Sequence, residues 1–144
     1  MMKDTYVERD SKLELSLAAI RLTTAAFMMV WAVDKLWNVK HAQAIAANFY
    51  FWKDAPAQLL MGLGVLQALI VLAFALGLAR FWTYGAILLM HLASTLASHS
   101  RMIPPYGPGA SKTFWAAVPV LAGIATLLIL RNRDRLFSIS EWRR

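Results

Sequence analysis

The sequence predicts an all-α integral membrane protein: a four-helix bundle with a short interfacial helix between spans one and two. Three observations carry that prediction. Hydrophobic residues make up 59% of the chain and charged residues 16%, where a soluble domain holds about 45–50% and about 25%. The apolar residues gather into four runs divided by polar segments. With 144 residues, the chain has too little interior to hide that much apolar surface from water, which leaves lipid as its solvent. The same composition excludes disorder, which requires low hydrophobicity. The length is that of one domain, a single four-span unit over residues 1–144 with short tails.

The first twelve residues are polar and mixed in charge. They lack the apolar core and small-residue cleavage site of a secretory signal, so the first apolar run is expected to persist. The spans fall at about 13–37, 58–79, 81–97 and 114–130, each near the ~20 residues that cross a ~30 Å hydrocarbon core. Backbone in lipid must satisfy its own hydrogen bonds, so each span is helical. In the first connection, residues 38–57, Ala42, Ile45, Ala46 and Phe49 recur at helical spacing. With Phe49-Tyr50-Phe51-Trp52 at its end, this reads as a helix lying at the interface. Asp54 and Pro56 suit the N-cap region of the second span. Ala79-Arg80 is a tight turn that makes spans two and three a hairpin. Residues 98–112 contain Pro104, Pro105 and Pro108, a stiff segment that reads as a linker or a lid. Pro119 is expected to kink the last span or loosen one turn. Small residues offer close approach at Gly62 and Gly64, Ala93 and Ala97, and Ala122 and Gly123.

Charge sets the orientation. Lys3, Arg9, Lys12, Arg80, Arg131, Arg133, Arg135, Arg143 and Arg144 stand on one side, and Lys35, Lys40, Lys53, Arg101 and Lys112 on the other. The excess predicts that both termini are cytoplasmic, and a bacterial-type inner membrane is the expected location. The excess also explains the net charge of +7 without a nucleic-acid partner. There is no cysteine, which excludes disulfides, thiol redox chemistry, thiolate metal sites and iron–sulfur clusters.

Ionisable residues inside spans are functional candidates, because exposing them to lipid is costly. Arg21 either snorkels to the headgroups or faces inward toward an acid or a bound anion. Asp34 and Lys35 end the first span, as a boundary pair or as part of a site. The third span carries His91, Ser94, Thr95, Ser98 and His99, with positions 91, 95 and 99 on one face. His91 and His99 are separated by about 12 Å along a helix, too far to ligate one metal. With His41 the only other histidine and no thiolate, no metal site is assigned. Gln67 lies in the middle of the second span at the depth of His91. A cavity with Arg21, Gln67 and His91 below and Asp34, Ser98 and His99 above, with Asp34 accepting from His99, would suit a quinone or similar amphiphile. The other reading is that His91 and Gln67 hydrogen-bond neighbouring helices. Adjacent Ser98-His99-Ser100 do not face one another, so nucleophilic catalysis has little support.

Arg21-Leu22, Phe27 and Trp31-Ala32-Val33-Asp34-Lys35-Leu36, followed by Gly62, Gly64 and the Gly77-Leu78-Ala79-Arg80 turn, resemble the DoxX family of small four-helix membrane proteins over about residues 15–130. The family's usual glycine in the middle of the first helix is replaced here by Thr23, Thr24 and Ala25. The resemblance implies the four-helix membrane fold, and relatives that are either redox-linked subunits or partners without catalysis of their own. The expected function is thus a redox-associated membrane subunit that binds a quinone, at most one part of an oxidoreductase. The alternative is a non-catalytic partner or assembly subunit. Either works beside another membrane or membrane-associated protein, or a second copy.

Overall fold

A computed structural model describes residues 10–139. Residues 1–9 and 140–144 lie outside it, and with them Lys3, Arg9, Arg143 and Arg144 of the charge comparison. The elements are α1 (Ser11–Trp37), α2 (Val39–Phe49), α3 (Ala57–Ala75), α4 (Arg80–Ala97) and α5 (Ala117–Ile129), with short 3-10 turns at His99–Arg101 and Lys112–Ala116. Among the described residues there is no strand.

Asp10 starts α1. Its carboxylate accepts the Lys12 and Leu13 amides at 3.1 and 3.2 Å, which satisfies two of the four donors a helix start leaves open. From there Glu14, Leu17, Ala18, Arg21, Thr24, Ala25, Met28 and Ala32 are buried, spaced by three and four along one face. That face packs chiefly against α3 and also against α5, while α4 packs against α3 and α5. Leu17, Met28, Val71, Phe74, Tyr84, Ile87, Ile124 and Leu127 meet in the core.

The outside of the fold is apolar too. Leu63, Leu66, Leu69 and Leu72 of α3 are all substantially exposed. Three helices are long and apolar enough to cross a membrane: Ser11–Trp37, Ala57–Ala75 and Lys112–Ile129, the last joining a 3-10 turn to α5. A helix that is apolar on all sides fits a lipid environment. The third expected span, α4, is not among the three. Its 18 residues include Arg80, Thr83, Tyr84, His91, Ser94 and Thr95 among the apolar ones.

Several local expectations are corrected. The second helix ends at Ala75 rather than 79. Leu78 N–H donates to Ala73 O at 2.9 Å and Gly77 N–H to Phe74 O at 3.0 Å, with Gly77 at φ +67°. This is a Schellman stop, and glycine meets its left-handed backbone at no steric cost. Asp54 does not cap α3, whose N-cap is Pro56 with no side-chain bond. Pro119 lies in the first turn of α5, where a missing N–H costs nothing, and the turn before it is 3-10. Gly62 faces open space and Ala93 is exposed, so neither brings helices together.

The connection between α1 and α3 is helical as read, with Ala42 and Ala46 buried beneath α2. The proline-rich connection folds onto the end of that helix. Phe114 stacks near Phe49 at 6.0 Å, Arg101 lies 5.9 Å from the Phe49 ring, and Trp115 Nε1 donates to Met102 O at 3.0 Å.

Gly64 sets the closest approach of α1 and α3. A Cβ there would lie 2.9 Å from Lys35 Cβ and 3.0 Å from the Ala32 carbonyl oxygen, and backbone does not yield cheaply. Gly64→Val is expected to lower stability by about 1–3 kcal/mol through overpacking. Gly62→Ala, in open space, is expected to leave stability unchanged or raised by about 0.5–1 kcal/mol. Thermal unfolding in detergent distinguishes the two.

Candidate functional site: a buried arginine–aspartate–tyrosine cluster

The residues singled out in the sequence fall at separate places. Asp34 Oδ2 accepts from His41 Nδ1 at 2.7 Å, not from His99 as expected. The turn at Asn38 sets α2 back beside the end of α1, and His41 on its first turn reaches the carboxylate first. His99 lies beyond the end of α4, exposed, with Nδ1 donating to Leu96 O at 2.8 Å. Lys35 Nζ donates to Gln67 Oε1 at 2.9 Å and to Trp31 O at 3.0 Å, and Gln67 Nε2 donates to Met28 O at 3.1 Å. His91 is buried. Its Nε2 donates to Ala117 O at 3.0 Å, and its ring stands edge-on to Phe27 at 5.9 Å. Gln67 and His91 therefore stand at similar depth, beside Met28 and Phe27, but they serve different neighbours: Gln67 ties α3 to α1, and His91 ties α4 to α5. Ser98 Oγ bonds back to Ser94 O at 2.9 Å, as hydroxyls in helices often do.

Arg21 is the residue around which a site is built. It lies ten residues into α1, about 15 Å from the helix start, and is fully buried. It does not snorkel. Nη2 donates to the Leu136 carbonyl oxygen at 2.5 Å, and Nε stands 3.4 Å from Asp134 Oδ2. The latter is an ion pair without hydrogen-bond geometry, since Nε has no hydrogen-bond partner. Tyr84 donates its hydroxyl to the same Asp134 Oδ2 at 2.6 Å. Tyr84 and Asp134 are both fully buried. Arg80, the first residue of α4, donates to Arg131 O at 3.2 Å and to Ser138 Oγ at 2.8 Å. Ile139 N–H donates to Leu76 O at 3.0 Å, which fixes the end of the segment to the α3–α4 turn. Glu14 is buried on the face of α1 that carries Arg21.

The result is a strap. Residues 131–139 cross one end of the helices and are held by α1, α4 and the α3–α4 turn. Gly77 makes room for it, since a Cβ there would collide with Ser138 Oγ and lie 2.8 Å from Arg21 Nη1. A carboxylate out of water is tolerable only when paired. Here the guanidinium supplies the opposite charge at 3.4 Å and the phenol supplies the hydrogen bond at 2.6 Å. The arrangement places one carboxylate oxygen between a guanidinium and a phenol and locks the strap to the helices. Among the described residues, no group of three or more His, Cys, Asp or Glu is placed to hold a metal ion.

Sequence reasoning missed Asp134, Tyr84, Arg80, Ser138 and Glu14, and treated residues 131–135 as a solvated tail. A signal was present. Arg21 inside an apolar run requires an acid, and the chain has only eight. Asp134 lies among arginines and just before Leu136-Phe137, an apolar pair out of place in a free tail.

Comparison with protein-family models, with characterised proteins and with solved structures finds no match to this chain.

Removing one partner of the cluster is expected to be severe. Arg21→Met or Asp134→Leu alone should cost about 3–5 kcal/mol by stranding the other charge, whereas the double variant should recover much of that loss. Thermal unfolding of the four proteins in detergent measures the coupling, and additive losses would contradict it. Gly77→Ala, at positive φ and against Arg21 and Ser138, is expected to destabilise more than the ordinary ~1 kcal/mol of a surface turn glycine. It should also expose residues 131–139 to limited proteolysis.

Proposed function

We propose that this chain is a DoxX-like four-span protein of a bacterial-type inner membrane, acting as a non-catalytic partner or assembly subunit. The observation that carries this reading is the use of the intramembrane polar groups. Gln67, Lys35 and His91 bond to neighbouring helices or to one another. Their donors are thus engaged within the protein rather than offered to the carbonyls of a ligand. Such interhelical bonds are the ordinary glue of helical membrane proteins. The groups of the quinone reading do not converge on one space, which weighs toward the subunit reading.

On this reading α4 is the third of the four spans. Its polar groups Tyr84 and His91 are buried against the strap and α5, while Leu89 and Leu96 are exposed, as a lipid-facing surface requires. The excess of Lys and Arg at the Arg80 and strap end favours cytoplasmic termini. Without cysteine, the chain has no thiol couple to pass electrons itself, so a redox role too would depend on a partner.

Native mass spectrometry of the protein released from its own membrane, with no ligand added, tests both readings. The expected spectrum contains the chain with another protein or a second copy, and no quinone-sized increment. A discrete increment of quinone mass that disappears in His91→Ala would overturn the subunit reading and restore the redox-associated one.

A further inference from the structure

The outer face of α4 carries a groove that the helix contacts above do not use. Phe81, Trp82, Gly85, Ala86 and Leu89 fall on one stripe of the helix, at successive spacings of one and three, and Leu128 of α5 forms the facing wall. The groove measures about 330 Å³. Gly85 forms part of its floor, since a Cβ built there meets nothing within 4 Å. Its walls are apolar, which alone would fit any hydrocarbon.

The end of the groove is specific. Arg131 Nη1 donates to the Leu128 carbonyl oxygen at 3.0 Å, and its guanidinium carbon lies 5.4 Å from the centroid of the Phe81 ring. Two groove residues thus fix one cation at the place where α5 ends. Arg131 is only partly buried, and one guanidinium nitrogen is committed to Leu128. The charge nearby is of one sign. Arg133 and Arg135 follow in the strap, and the one carboxylate of residues 131–139, Asp134, is buried and held by Arg21 and Tyr84. A fixed cation at the end of an apolar groove is complementary to an amphiphile with an anionic head. A guanidinium, with its planar fork of donors, is well suited to a phosphate.

We propose that this groove binds one anionic phospholipid, with an acyl chain along Gly85 and its phosphate against Arg131. The site rests on the membrane reading above but not on the choice between a subunit and a quinone-binding role. It places the lipid at the Arg80 end of the helices, where exposed Phe81 and Trp82 suit the headgroup level. The bound lipid would cover the α4–α5 seam beside the strap, on the side away from α1.

The full chain is reconstituted into vesicles of dioleoylphosphatidylcholine and dioleoylphosphatidylglycerol in equal parts, checked by flotation, and analysed by native mass spectrometry. The expected result is one retained phosphatidylglycerol in preference to phosphatidylcholine. Gly85→Leu fills the groove without an internal clash and removes a helix-weakening glycine, so it should fold, float and lose the retained lipid. Arg131→Gln should keep the groove and reduce the preference for the anionic lipid about fivefold. Equal retention of both lipids, or a preference unchanged by both variants, overturns the proposal. A dimer without lipid that is lost in Gly85→Leu identifies a second copy as the occupant and also overturns it. A wild-type chain that fails to float overturns the membrane reading, whereas one that floats without lipid preference overturns the lipid site alone.

Discussion

The structure depends on one buried charge. Arg21 stands where the helical pattern of α1 asks for an apolar residue, and a guanidinium without partners is among the most costly groups to hide from water. The rest of that end of the molecule answers this requirement. Residues 131–139 fold back so that Asp134 and the Leu136 carbonyl reach it. Tyr84 turns its hydroxyl to the same carboxylate oxygen. The α3–α4 turn uses a glycine, since any side chain at position 77 would occupy the space of Arg21 and Ser138. Arg80 then ties the strap to the start of α4. The charge contributes little net stability compared with an apolar residue in its place. Its effect is to draw α1, α4 and the strap to one place.

Toward the other end of α1, closeness of the backbones matters most. Gly64 lets α3 approach the backbone of α1 at Ala32. The short separation lets Gln67 reach both the Met28 carbonyl and Lys35. Without water to compete, such bonds and tight contact hold helices together where lipid removes the hydrophobic drive. The same economy accounts for the bonding of the polar stripe of α4. His91 bonds a carbonyl at the start of α5, and the hydroxyls of Ser94, Thr95 and Ser98 return to their own helix. A protein built this way presents an apolar exterior to its surroundings. The groove beside Arg131 and the aromatic end of α2 are the features of that exterior with a definite shape.

Much of the fold was legible in the sequence because lipid imposes simple rules. Apolar runs of the right length must be helices, and their positions are visible without any tertiary contact. The helix α2 showed in the spacing of Ala42, Ala46 and Phe49. Helix ends were less legible. The stop at Ala75 depends on Gly77 entering the left-handed region, and Pro119 looked internal because the preceding 3-10 turn has no distinct sequence pattern. Among the candidate residues, Arg21 was conspicuous by its burial cost, and Gln67 and His91 by their depth. Their partners were not conspicuous. Depth places a residue along the membrane normal, whereas rotation about the helix axis decides which neighbour it meets.

The sequence by itself determined the solvent of this protein, its helical class and the presence of charges that had to be resolved inside it. Composition and periodicity are local properties, and a single strand of residues carries them in full. Tertiary structure alone decided how those charges were resolved. Asp34 chose His41 over His99, and Arg21 found its partners in a segment 115 residues away. Such pairings depend on which helix faces are turned toward each other and on how a terminal segment returns to them. Both follow from packing the whole chain at once, with every buried polar group competing for the same few partners.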